Sequence, residues 1–127
     1  MEQGIPSGIY REHILELYKN PQNFGLLGKP SHEHKEFNSI CGDEINVQLA
    51  VNSNKISDVK FQGSGCVISL VSASLLTEKI KGMPVSDVKK LEQKDMIKLL
   101  GIKKLSPARI KCATLALSAV KGALKND

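Results

Sequence analysis

The sequence predicts an α+β fold, a three-stranded antiparallel sheet with helices packed on one face. Three observations carry that expectation. Apolar and polar residues alternate through "EINVQLAV" and again through "ISDVKFQ", the two-residue period of half-buried strands. The polar stretch "NSNK" separates these runs and signals a tight antiparallel turn. Beyond Cys66 the spacing becomes helical and no strand pattern returns. Strands followed by helices, rather than interleaved with them, read as α+β. The 127 residues suit one domain, taken as 1–127, around one modest core.

The first helix is expected from Gly8 to Lys19, capped by Ser7, with Tyr10, Ile14, Leu17 and Tyr18 at helical spacing. "NPQNFG" ends it, because the residue before Pro21 is pushed out of the helical region. "LLGKPSHEHKEF" reads as a loop leading into a strand around Phe37, and the isolated pair His32 and His34 as solvated loop residues. Strands are expected at Ile45 to Val51 and Ile56 to Gln62. A helix over 66–81 ends at Gly82 and Pro84. Ser86 is the expected cap of a short helix through "DVKKLE", with another turn or two in "DMIKLLGI". Ser106 and Pro107 then open a last helix whose stripe is Ile110, Ala113, Leu117, Val120 and Leu124.

Apolar content of 41% and charged content of 24% are those of an ordinary globular chain. No apolar run approaches the roughly 20 residues of a membrane span, and "MEQGIPSGIYREH" does not read as a secretory signal. A cytoplasmic, membrane-independent protein is therefore expected. The net charge of +5 comes largely from C-terminal lysines on the wet faces of helices. With two tyrosines, three phenylalanines and no tryptophan, the chain offers little for base stacking, so no nucleic-acid partner is expected. A solvated face, or one that docks an acidic protein, fits better.

The three cysteines are odd in number, and a disulfide framework is not expected. Carried backwards, the parity of the second strand puts Cys41 and Asp43 on its buried side, around Gly42. A buried carboxylate without a cation or donors is costly, so the pair invites a metal. Cys66 follows "GSG" and opens a helix, where free N–H groups and the helix dipole favour a thiolate. Cys112 lies beside the apolar stripe of the last helix. Arg109 and Lys111 flank it with positive charge that is expected to lower its pKa. Three thiols and a carboxylate suit zinc or an iron–sulfur cluster, although no CxxC pair marks the site.

"CGDEINVQLAV", "GSGCVISLVSASLLTEKIKG" and "RIKCATLAL" together resemble the iron–sulfur cluster scaffold family of IscU, SufU and the N-terminal domain of NifU. "YREHILELYKNPQNFG" is similar to that family's first helix and its Asn-Pro-x-Asn turn. The resemblance implies an α+β domain in which Cys41, Asp43, Cys66 and Cys112 bind zinc or a transient [2Fe–2S] cluster. It also implies a pyridoxal-phosphate-dependent cysteine desulfurase as sulfur donor, with apo iron–sulfur proteins or carriers downstream. By the SufU analogy Cys41 accepts persulfide sulfur; by the IscU analogy Cys112 does. Arg109 and Lys111 would stabilise the incoming anion. Lys111 stands where IscU proteins carry histidine, which points to SufU, whereas the usual SufU insertion between the second and third cysteines is missing. On this reading the protein is a scaffold and sulfur carrier, not an enzyme, unless zinc-dependent sulfur transfer is counted as one.

A different class of function is a structural zinc module that binds a macromolecule through its lysine-rich face. A zinc hydrolase or deaminase is disfavoured, because no glutamate stands near the motifs as a general base.

Overall fold

The computed structural model of the protein describes residues 7–102 and 105–125, with side chains from Glu12 onward. In chain order the elements are α1 (Ser7–Lys19), β1 (His32–Asn38), β2 (Asp43–Asn52), β3 (Lys55–Ser64), α2 (Val67–Ile80), α3 (Val85–Lys89), α4 (Gln93–Leu100) and α5 (Pro107–Ala123). The sheet is antiparallel in the order β1-β2-β3, and α2 and α5 pack across one face, as the sequence predicts. Among the described residues no helix is long and apolar enough to cross a membrane.

Periodicity explains the centre of the sheet. Ile45, Val47 and Leu49 of β2 and Ile56, Val59 and Phe61 of β3 are fully buried against the helices. Ser53 and Asn54 both have positive φ, as the two central residues of a type I′ hairpin require. A bulge opposite the Ala50–Val51 step leaves Ser57 of β3 without a cross-strand partner, so the buried Ile56 and Val59 stand three residues apart. From α2 and α5, Ala73, Leu76, Ile80, Ala116, Ala119 and Val120 close over this surface. Leu17 and Ile14 of α1 join a smaller cluster with Val71, Leu100 and Ala113, while Tyr18 is exposed.

Three local expectations are corrected. β1 begins at His32, so "SHEHKEF" is strand rather than loop. Its helix-facing positions are His34, Glu36 and Asn38, and Phe37 points outward, 65% exposed. Period alone misses such a strand, because its inward side chains are polar. α3 starts at Val85 with Pro84 as N-cap, so Ser86 does not cap it; burial of Val85 and Val88 sets the helix two residues earlier. Ser7 is the first residue of α1, and the cap position before it lies outside the described residues. At the other end, Ser106 does cap α5, accepting from the Arg109 N–H at 3.3 Å.

"NPQNFG" does more than stop α1. The Phe61 N–H donates to the Asn23 carbonyl at 2.9 Å and the Gly25 N–H to the Phe61 carbonyl at 2.8 Å, so the segment covers the outer edge of β3. The Gln22 N–H donates to Ser74 Oγ at 2.7 Å and the Asn23 amide to Thr77 Oγ1 at 3.0 Å, tying the turn to α2. Phe24 packs edge-on against Phe61 with ring centroids 5.4 Å apart. Phe61 is thus the joint between turn, sheet and helices. Phe61→Ala is expected to lower the free energy of unfolding by about 3–5 kcal/mol, measured by denaturant titration.

Candidate metal centre

The site forms where the β1–β2 turn, the β3–α2 junction and the first turns of α5 meet. Asn38 and Asp43 face each other across the β1–β2 pair, and both are buried. The Gly42 N–H donates to the Asn38 carbonyl at 2.8 Å and the Ile40 N–H to Asn38 Oδ1 at 3.2 Å, which closes the turn. Gly42 sits at φ +71°, a left-handed conformation that suits glycine. Strand parity therefore stops at Asp43. The expectation that Cys41 shares the buried face is corrected: it lies exposed in the turn, and Asp43 alone points inward.

Asp43 is 1% exposed, yet both of its oxygens are held. Oδ1 accepts the Cys66 N–H at 3.0 Å, and Oδ2 accepts the Ser69 hydroxyl at 2.6 Å. The Cys66 thiol lies 3.7 Å from Oδ2. Cys66 is the N-cap of α2 in extended conformation, so the helix begins one residue later than expected and presents this free N–H to the carboxylate. The preceding Gly65 is at φ +154°, and a Cβ there would overlap the Asp43 carboxylate.

Cys112, fully buried on α5, receives Asn38 Nδ2 at 3.7 Å and lies 3.6 Å from Cys41 Sγ. Ligand atoms of Cys41, Asp43 and Cys112 all fall within 4.8 Å of one another. Of the four residues expected to bind metal, the fold brings these three together; Cys66 stands outside that mutual group, with its thiol 3.7 Å from Asp43 Oδ2. Arg109 and Lys111 stand exposed on α5. Lys111 lines a groove of about 300 Å³ beside the turn, together with Phe37, Ile40 and Thr114.

The electrostatics follow from this packing. Burial is the largest influence on Asp43 and opposes its charge. Hydrogen bonds from Ser69, Cys112 and the Cys66 backbone and thiol together outweigh it, and hold the carboxyl below its usual range. Burial pushes the Cys112 thiol strongly upward, reinforced by its neighbours Cys66, Asp43 and Cys41. The expected lowering by Arg109 and Lys111 is overturned, because both lie in solvent while desolvation acts on a thiol packed under α5.

The donor set fits a tetrahedral thiophilic ion. Zinc–sulfur bonds of about 2.3 Å place two sulfurs of a tetrahedron roughly 3.8 Å apart. The Cys41–Cys112 sulfur distance of 3.6 Å is close to that edge. A bound cation would also supply the positive charge that the buried Cys112 thiolate and Asp43 carboxylate require.

Two contributors were not singled out from the sequence. Asn38 is signalled only by its register opposite Asp43, and Ser69 by its place three residues after Cys66 on the same helix face. Gly65→Ala is expected to weaken zinc binding at least tenfold, by displacing Asp43, while leaving the far-ultraviolet circular dichroism unchanged. Competition with a metal indicator measures the first, and the spectrum checks the second.

The NifU-like N-terminal domain profile matches residues 9–126 of the chain. The zinc-dependent sulfurtransferase SufU of Bacillus subtilis is 36% identical, over 94% of this chain and 92% of that one. The iron–sulfur cluster assembly enzyme IscU of Drosophila melanogaster is 35% identical, over 96% of this chain and 80% of its own length. A Fervidobacterium islandicum crystal structure, described as a scaffold protein of the SUF system, superposes with a TM-score of 0.78 at 27% identity, covering 94% of this chain and 99% of that one.

Proposed function

Because the chain belongs to the NifU-like N-terminal domain family, we propose that it accepts persulfide sulfur and serves as a scaffold for iron–sulfur cluster assembly. One observation carries this reading: an exposed thiol, Cys41, stands 3.6 Å from a buried thiol, Cys112, beside a buried carboxylate. A filler cysteine has no reason to stand in solvent within reach of such a pair.

The donor is a pyridoxal-phosphate-dependent cysteine desulfurase carrying a cysteine persulfide. Cys41 is the acceptor, since a bulky partner can reach it while Cys112 is enclosed. The Cys41 thiolate attacks the terminal sulfur of the partner's persulfide. A new sulfur–sulfur bond forms on Cys41, the partner's sulfur–sulfur bond breaks, and the partner's cysteine leaves as thiolate. Arg109 and Lys111, exposed on α5, supply positive charge to steer an anionic sulfur toward the site. Zinc held by Cys41, Asp43, Cys66 and Cys112 would keep the thiols deprotonated and guard them from oxidation. The [2Fe–2S] cluster is cargo, built on the same residues and passed to apo iron–sulfur proteins or carriers. The protein then works as a single cytoplasmic domain, and its sulfur is delivered rather than turned over in a catalytic cycle.

Incubation with a desulfurase and cysteine, followed by mass spectrometric mapping, is expected to place persulfide on Cys41 and to lose it in Cys41→Ser. Persulfide on none of the three cysteines sinks the proposal.

The structural-zinc alternative differs in what chelation does. A zinc finger owes most of its folding free energy, on the order of 10 kcal/mol, to its metal. Here the sheet and helices enclose a core from Ile45 to Leu124 built of aliphatic and aromatic side chains. Chelation is therefore expected to leave the circular dichroism spectrum and a cooperative melt in place, with zinc raising the midpoint. Unfolding on zinc removal would favour the structural module.

A further inference from the structure

Ser69 is fully buried in the first turn of α2, at i+3 from Cys66 and on the same helix face. A hydroxyl inside a helix commonly bonds back to a carbonyl of the preceding turn. Thr77 does so to Ala73 at 2.7 Å, and Thr114 to Ile110 at 2.9 Å. Ser69 instead donates to Asp43 Oδ2 at 2.6 Å, in the range of charge-assisted O–H···O⁻ bonds, and stands 3.6 Å from Cys66 Sγ. With the Cys66 N–H on Oδ1 at 3.0 Å, both carboxylate oxygens are held from the α2 side.

We propose that Ser69 is a positioning residue: its hydroxyl gives Asp43 a resting place apart from the metal and makes it the ligand that leaves first. The inference rests on the metal-centre reading above. A donor on Oδ2 draws electron density away from the carboxylate and so weakens it as a ligand. It also solvates the carboxylate once detached. A buried carboxylate that left a cation with no such donor would be bare, and its departure would be disfavoured. With Ser69 and the Cys66 amide in place, Asp43 needs neither a proton nor bulk water to let go.

The test loads the full chain with zinc and follows transfer to excess chromogenic chelator by stopped flow, with a cobalt(II) form for spectroscopy. Ser69→Ala is expected to release zinc about tenfold more slowly. Its cobalt d–d bands should shift, while thiolate-to-cobalt charge transfer keeps the intensity of three sulfur ligands. Ser69→Thr, which restores the hydroxyl, should recover the wild-type rate and spectrum. Ser69→Gly, lacking it, should match the alanine variant, so that one poorly folded protein does not decide the matter. Melting of the metal-free variants separates a structural role: slower release from a protein that melts with the wild type supports the inference. Equal or faster release without the hydroxyl, or no recovery with threonine, overturns it and leaves the metal centre standing. A wild-type chain that takes up no zinc overturns both.

Discussion

The arrangement at this end of the molecule depends on one buried negative charge. Asp43 opens β2 at 1% exposure, where an unpartnered carboxylate would cost several kcal/mol. Each element that reaches it answers that cost. The β3–α2 junction supplies a backbone N–H, α2 a hydroxyl and α5 a thiol, while Gly65 keeps space free for the carboxylate. Three segments distant in sequence thereby acquire a common meeting point. The fixed carboxylate and the closed turn at Asn38 then hold the thiols near one another. The centre is preorganised by polar contacts within the chain, before any ion is considered.

Much of the fold was legible because its information is local. The alternation of Ile45, Val47 and Leu49, the "NSNK" turn, and the Ser106-Pro107 start each encode an element within a few residues. β1 escaped because its inward positions, His34, Glu36 and Asn38, are polar, so no apolar alternation marks the strand. His34 packs its ring where Gly122 of α5 has no side chain. That is a tertiary reason for a strand, and no window of sequence contains it. The clasp of Asn23 and Gly25 on Phe61 was hidden in the same way, since "NPQNFG" displays only its helix-ending chemistry.

The site divides along the same line. Residue types and motif resemblance point to Cys41, Asp43, Cys66 and Cys112; the fold gathers Cys41, Asp43 and Cys112 and sets Cys66 beside Asp43. Parity failed at Cys41 because Gly42 turns the chain through a positive φ, which a two-residue period cannot foresee. That failure matters chemically. Had the strand run on through Gly42, Cys41 would share the buried side with Asp43, and the chain would lose its one exposed thiol. The turn separates Cys41 from Asp43 by exposure while keeping Cys41 within 3.6 Å of Cys112. One thiol can receive sulfur while its neighbour stays shielded.

A site meant to release its cargo cannot also be what holds the protein together. The apolar contacts between the sheet and α2 and α5 lie along the length of these elements, whereas Cys41, Asp43 and Cys66 sit at element ends and Cys112 in the second turn of α5. Loosening a ligand therefore disturbs few of the contacts on which folding depends. Separating the two also frees the choice of ligand. A fourth thiolate in place of Asp43 would grip a soft ion harder. A carboxylate already satisfied by a hydroxyl and an amide has somewhere else to go. Weak ligation is then a consequence of where the hydrogen-bond donors stand, and the stability of the fold permits it.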